Sequence, residues 1–225
     1  MAESVHVHAP HEFSETGSRT SLTRERFWEL VATVLLAVAT VGIAWSGYQA
    51  ARWNGLQSQE YAAANGDRSH GSQAATAAGQ DRLQDLVNFN RWLELTTQGD
   101  TGLAALYQRR FRHEFVPAFD AWLAQDPLHN PAAVASPLLM PQYHPALLAR
   151  SNRLERQADQ SFEDGRRATD RTDQYVLTTV FFAAVLFFAG ISLRFEWERL
   201  RVTVLLLGMF FLGYGLVRLA TIRIR

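Results

Sequence analysis

LVATVLLAVATVGIAWSGYQAA, residues 30–51, is a stretch of 22 residues without a charged side chain. About 20 such residues in a helix are enough to cross the hydrocarbon core of a bilayer. Trp28 and Tyr48 lie near its two ends, where the aromatic residues of membrane proteins concentrate. A cleaved signal peptide has a shorter apolar core directly behind a basic start, whereas a polar tail precedes this stretch. We therefore predict a retained transmembrane helix at 27–52.

Two further apolar stretches near the C-terminus predict a transmembrane hairpin. Residues 174–193 and residues 202–217 contain no charged side chain. The second stretch becomes long enough to span if Arg218 extends its side chain to the lipid headgroups. Between the two lies RFEWERLR, which contains three Arg and two Glu and fits a tight polar turn. The predicted segments are transmembrane helices at 174–194 and 202–222, a turn at 195–201 and a basic tail at 223–225.

The long segment between the first two spans, residues 53–173, predicts a helical stalk and head in water. Small residues recur every three or four positions from the first span into this segment, and again from Leu147 to Tyr175. We expect both membrane helices to continue outward and to pack antiparallel on these small residues. The apolar stretch at 81–123 predicts a small helical head. The fold class expected is an all-α integral membrane protein with three transmembrane helices.

Local signals divide the head. Gly99 is expected to end one helix, and the Asp100 carboxylate to cap the next. Pro117 is expected to kink or divide that second helix. The proline-rich connection at 126–145 is expected to pack back on the head, with docking on a partner as the alternative, through Leu138, Leu139, Met140 and Tyr143. A break in the first stalk helix is allowed near Gly66, because glycine weakens a helix.

One face of the first span carries only small residues. This small-residue face consists of Thr33, Ala37, Thr40, Ala44, Gly47 and Ala51. Small side chains let a second helix approach closely in lipid, so the face predicts a helix-packing surface. Because two of its members carry hydroxyl groups, it also fits the lining of a pore. In that alternative, Gln49 is expected to face water as well.

The composition excludes several functions. The chain has no Cys, which rules out disulfides, thiolate metal sites and cysteine nucleophiles. Its formal net charge is zero, so it lacks the basic footprint of a nucleic-acid-binding protein. All 22 basic residues are Arg, a bias typical of GC-rich bacterial coding. No phosphate-binding loop or hydrolase motif occurs. We expect no enzyme and no cofactor.

Three histidines stand close together in the N-terminal tail, at His6, His8 and His11. Imidazole groups at such spacing can bind zinc, nickel or copper. The tail, residues 1–26, is expected to be disordered, so no folded scaffold would hold these histidines around a metal ion. A metal or ligand sensor that uses these histidines is therefore a further alternative for the function.

The segment AWSGYQAARW, residues 44–53, stands at the end of the first span. With one early span, a polar helical insert and a C-terminal hairpin, the chain resembles uncharacterised three-span bacterial membrane proteins of domain-of-unknown-function families. This resemblance implies a bacterial multi-pass membrane protein. It assigns no functional residue.

The distribution of Arg predicts the orientation. The N-terminal tail and the hairpin turn together contain six Arg, namely Arg19, Arg24, Arg26, Arg194, Arg199 and Arg201. The C-terminal end contains three, namely Arg218, Arg223 and Arg225. The positive-inside rule then places the N-terminus in the cytoplasm and the head outside the bacterial inner membrane. The function expected is a homo-oligomeric scaffold or accessory subunit, with an oligomeric channel lined by the first span as the alternative. The expected partners are the lipid bilayer, further copies of the chain and a second membrane protein, but no nucleic acid.

Overall fold

The computed structural model describes residues 18–222, with side chains from residue 24 onward, and over this range it contains helices and no strands. Its elements are α1 (Ser18–Thr97), α2 (Thr101–Gln108), α3 (Val116–Leu123), a 3₁₀ turn (Pro137–Leu139), α4 (Ala146–Ser192) and α5 (Glu198–Thr221). The predicted all-α class is confirmed.

Three of these helices, α1, α4 and α5, each contain a stretch that is long and apolar enough to cross a membrane. The first predicted span, 27–52, lies within α1, whereas 174–194 ends two residues beyond α4 and 202–222 ends one residue beyond α5. α1 begins at Ser18, inside the segment predicted as a disordered tail, and it runs for 80 residues. It continues through Gly66, where a break was allowed. The described chain divides into two compact units, which we call the membrane unit (Met1–Gly55 and Ala168–Arg225) and the insert unit (Leu56–Arg167).

The membrane unit is organised around the side chain of Phe182 on α4, which is fully buried. A Cβ atom added at Gly42 on α1 would lie 2.8 Å from this ring, and one added at Gly215 on α5 would lie 3.0 Å from it. The ring therefore contacts the backbones of both neighbouring helices directly. Around it lies an apolar core from all three helices: Ala32, Leu35, Ala39, Val185, Ala189 and Leu205.

In the insert unit, α1 and α4 pack against each other with opposite chain directions. The ring of Tyr61 on α1 lies over Gly165 on α4, where an added Cβ would be 2.6 Å from it. Further along α1, Arg68 lies over the ring of Phe162 at 5.0 Å, and its guanidinium is 3.4 Å from Asp159. Residue numbers on α4 thus decrease as those of the contacting residues on α1 increase. This is the antiparallel order that the sequence predicts for residues within this unit.

An aromatic core fills the rest of the insert unit. The end of α1, the helices α2 and α3, the segment between them and the proline-rich connection all contribute to it. Its buried residues include Phe89, Trp92, Leu95, Ala104, Phe111, Phe115, Phe119, Trp122 and Met140. Leu138 and Tyr143 pack on it from the connection, whereas Leu139 is 63% exposed. The connection thus packs on this core through Leu138, Met140 and Tyr143, whereas the expectation that Leu139 packs there is wrong.

The local signals at the helix ends have the predicted roles. Gly99 adopts a positive φ of 83° directly after α1 ends. The Leu103 amide donates to the Asp100 carboxylate at 3.0 Å, which caps α2. Pro117 lies in the first turn of α3, where its missing N–H costs nothing. The predicted helix is therefore divided rather than kinked: α2 ends at Gln108, and Pro117 lies at the start of α3.

We predict that Gly42→Ala destabilises the protein by about 1–3 kcal/mol, because the new methyl group overlaps the buried ring of Phe182. Gly213→Ala is the matched control on α5, since nothing lies within 4 Å of its added Cβ. Thermal unfolding in detergent, followed by circular dichroism, measures both variants. Equal melting temperatures for the two would contradict the packing of Phe182 on Gly42.

Candidate functional site

The small-residue face of α1 does not pack within the chain. All six of its residues, Thr33, Ala37, Thr40, Ala44, Gly47 and Ala51, are exposed. The buried face of the span lies one residue earlier at most positions, and it includes Ala32 and Ala39, both 0% exposed. One residue turns a helix by about 100°. The expectation that this face packs on the second span of the same chain is therefore wrong.

The reason for the offset is that α1 carries small residues on two neighbouring faces. The buried face contains Gly42, which admits the Phe182 ring. The exposed face contains Gly47, where an added Cβ would meet nothing within 4 Å. The Phe182 ring of α4 thus packs on the face with Gly42, and the small-residue face stays exposed.

The corresponding prediction for α4 agrees with the structure. Every position of that small-residue spacing is buried or partly buried: Leu147, Ser151, Leu154, Ala158, Ser161, Gly165, Ala168, Thr172 and Tyr175. α4 has charged residues between these positions, so only one face could be apolar. The buried face of α4 could therefore be predicted from the sequence, because only one face lacks charged residues.

The polar side chains of the first span do not all lie where the pore alternative requires them. The Thr33 hydroxyl donates to the Glu29 carbonyl oxygen at 2.8 Å, and the Thr40 hydroxyl donates to the Leu36 carbonyl oxygen at 2.7 Å. Gln49 is only 1% exposed, so the expectation that it faces water in a pore is wrong for a single chain. Among the described residues, Gln49 Oε1 and Ser46 Oγ have no hydrogen-bond partner.

His6, His8 and His11, the candidate metal ligands, lie outside the described residues. Within residues 18–222, no group of three His, Cys, Asp or Glu side chains is arranged to hold a metal ion.

The insert unit contains a buried ion network that the sequence did not reveal. Asp85 on α1 is 0% exposed, and its Oδ2 accepts hydrogen bonds from Arg112 Nη1 and from the Tyr143 hydroxyl, both at 3.0 Å. Arg112 Nη2 lies 2.9 Å from Asp81 Oδ2 and 2.9 Å from Glu114 Oε2. One guanidinium thus connects α1 to the segment between α2 and α3, and Tyr143 adds the proline-rich connection.

The electrostatics of this network are unbalanced, because three carboxyl groups surround one guanidinium. Asp85 Oδ1 is buried and has no hydrogen-bond partner in the described part of the chain. Burial raises the pKa of Asp85, and its hydrogen bonds with Tyr143 and Arg112 offset only part of that effect. Burial, followed by the hydrogen bond to Asp85, raises the pKa of Tyr143 to about 12. The folded protein therefore favours the protonated form of Asp85 more than water does.

No local pattern in the sequence marks this network. Arg112 is 27 positions from Asp85, and Tyr143 is 58 positions from it. Glu114 also lines a neighbouring cleft of about 610 Å³ that includes His113 and His144. These residues meet only because the aromatic core brings the connection back against α1.

Comparison of the chain with protein-family models, with curated proteins and with solved structures finds no match. The proposed function therefore depends on the geometry of the small-residue face of α1 and of the ion network around Asp85.

We predict that acidification from pH 7 toward pH 4 stabilises the wild-type protein relative to Asp85→Asn. The folded state raises the pKa of Asp85 above its unfolded value, so it binds a proton more tightly than the unfolded chain does. The stability linked to that proton is fully present below the unfolded pKa and is lost as the pH rises through the folded pKa. Melting temperatures of both proteins across this range measure the difference.

Tyr143→Phe is the companion variant, because it keeps the Asp85 carboxyl group and should keep the trend with pH. A difference between wild type and Asp85→Asn that stays constant from pH 7 to pH 4 would show that Asp85 does not carry this effect.

Proposed function

We propose that this chain is a homo-oligomeric bacterial membrane protein that acts as a scaffold or accessory subunit, and that it self-associates through the small-residue face of α1. The observation that supports the proposal is the exposure of all six residues of that face, while α1 meets α4 and α5 of its own chain through a different face. A helix with small residues on two faces can pack closely on two sides at once.

The chemistry of the face suits a dry contact between helices. Lipid chains are as apolar as leucine, so close van der Waals contact stabilises helix association in a bilayer, and small residues permit it. The hydroxyl groups of Thr33 and Thr40 already donate to carbonyl oxygens of their own helix. They can therefore enter a contact without leaving an unpaired donor in the hydrocarbon.

The pore alternative has less support from these residues. A water-filled pathway needs polar or small groups along its wall, because a purely apolar constriction gates by losing water. The amide of Gln49 points into the protein rather than toward the small-residue face. The alternative of a histidine-based sensor has no described residue to support it. Self-association therefore remains the function that the geometry supports best.

The proposed location is the bacterial inner membrane, with the insert unit outside the cytoplasm. Two ion pairs join the first turns of α1 to the start of α5: Arg24 with Glu198 at 2.7 Å, and Arg201 with Glu29 at 3.8 Å. These pairs support a common side of the membrane for the N-terminal end of the first span and the hairpin turn. Six Arg fall in these two segments, which favours the cytoplasm for them.

We predict that Gly47→Leu converts the oligomer to smaller species, because a leucine on the small-residue face holds two helix backbones apart. The mass of the complex in detergent and in nanodiscs, measured by light scattering or mass photometry, tests this. The change should not unfold the chain, since an added Cβ at Gly47 meets nothing within 4 Å.

Gly213→Leu is the matched control, because Gly213 is an equally open glycine on α5 that lies off the small-residue face. It should leave the mass unchanged. Ala39→Leu is a third variant that should lower thermal stability instead, since Ala39 lies in the core of the chain itself. The same oligomer mass for Gly47→Leu and wild type, or a purified wild-type monomer, would refute the self-association surface.

We predict opposite labelling of two single cysteines in a chain that has no native Cys. Ala135→Cys, exposed in the proline-rich connection, should react with a membrane-impermeant maleimide on intact spheroplasts. Glu196→Cys, exposed in the hairpin turn, should react only after permeabilisation. The reverse pattern would place the insert unit in the cytoplasm.

A further inference from the structure

An apolar cleft opens on the surface of the membrane unit between α1 and α5. Its volume is about 430 Å³, and its walls include Val38, Val41 and Trp45 of α1 and Leu216 and Leu219 of α5. Val41 is 69% exposed and Leu216 is 43% exposed, so the cleft opens outward rather than into the core. It borders the small-residue face, with Ala37 on its edge. A cleft with such walls in a spanning segment suits a hydrocarbon chain.

A line of aromatic and cationic groups leads from this cleft along α1 toward the end of the span. The rings of Trp45 and Tyr48 lie 6.0 Å apart. Arg52 Nη1 donates to the Tyr48 hydroxyl at 3.2 Å, and the guanidinium lies 5.9 Å from the centre of the Tyr48 ring. Arg52 is seven residues beyond Trp45, which is about 10 Å along the helix axis. The three side chains share the side of α1 that carries Val38 and Val41.

Among the described residues, no carboxylate balances the charge of Arg52. Its described side-chain contacts are with Tyr48, and none of the described ion pairs includes it. Trp and Tyr side chains favour the depth of the lipid headgroups, and a guanidinium binds phosphate through paired N–H donors. An exposed arginine held at that depth above an apolar cleft thus matches the two ends of a phospholipid.

We propose that the membrane unit binds one phospholipid per chain, with an acyl chain in the cleft between α1 and α5 and the phosphate at Arg52. An anionic headgroup binds more tightly than a zwitterionic one, because no carboxylate in the described part of the chain pairs with Arg52. The site is built by a single chain, so it does not depend on self-association through the small-residue face.

Native mass spectrometry of the delipidated full-length protein tests the site, with phosphatidylglycerol and phosphatidylcholine of identical acyl chains as probes. Wild type should bind one phosphatidylglycerol per chain, about fivefold more tightly than phosphatidylcholine. Arg52→Gln should remove that preference while keeping weak binding of both lipids. Val41→Trp and Leu216→Trp fill the cleft from its two walls and should abolish the site for both lipids.

Two matched controls accompany these variants. Val180→Trp adds the same bulk at a residue of α4 that is 57% exposed, and Arg194→Gln removes an exposed charge in the hairpin turn. Both should bind lipid as wild type does. Gly47→Leu should also retain the lipid, and its loss there would mean that a second chain builds the site. Undiminished binding by Val41→Trp, or an unchanged preference in Arg52→Gln, would overturn the proposal.

Discussion

The contact of the Phe182 ring with Gly42 and Gly215 sets the arrangement of the membrane unit. In a bilayer the hydrophobic effect does not drive helices together, so their order depends on how closely their surfaces fit. A ring that touches two backbones is possible only where both partners lack a Cβ atom. This requirement fixes the rotation of α1 and of α5 about their axes relative to α4. Once α1 is fixed in this way, its small-residue face must point away from its own chain.

In the insert unit, too, an aromatic ring packs on a glycine of the neighbouring helix. The ring of Tyr61 lies over Gly165, and the Phe162 side chain one turn earlier on α4 packs against Tyr61 at 5.4 Å between ring centres. Contacts of this kind require shape rather than a particular solvent, because dispersion forces act alike in lipid and in water. α1 and α4 can therefore pack in both units by placing an aromatic ring on a glycine, even though the exposed residues of the two units differ in polarity.

Much of the fold could be predicted from the sequence, because the spans, caps and breaks depend on local composition. Gly99, Asp100 and Pro117 act through their own backbone or through the next turn, so their neighbours in the chain were sufficient. The buried face of α4 was equally clear, since charges mark its other sides. The buried face of α1 could not be predicted in this way, because small residues occur on two adjoining faces and only the distant Phe182 distinguishes them. The ion network around Asp85 depends on partners far away in the chain, so no local pattern could predict it.

In the proposed orientation, the arginines of the two ion pairs at the start of α1 and α5 act at two stages. Insertion into a membrane responds to the number of Arg and Lys beside each span, while acidic residues contribute little. At that stage Arg24 and Arg201 count as positive charges whatever glutamates are near. In the folded protein they face Glu198 and Glu29. Two of the arginines that favour the proposed orientation therefore also connect α1 with α5.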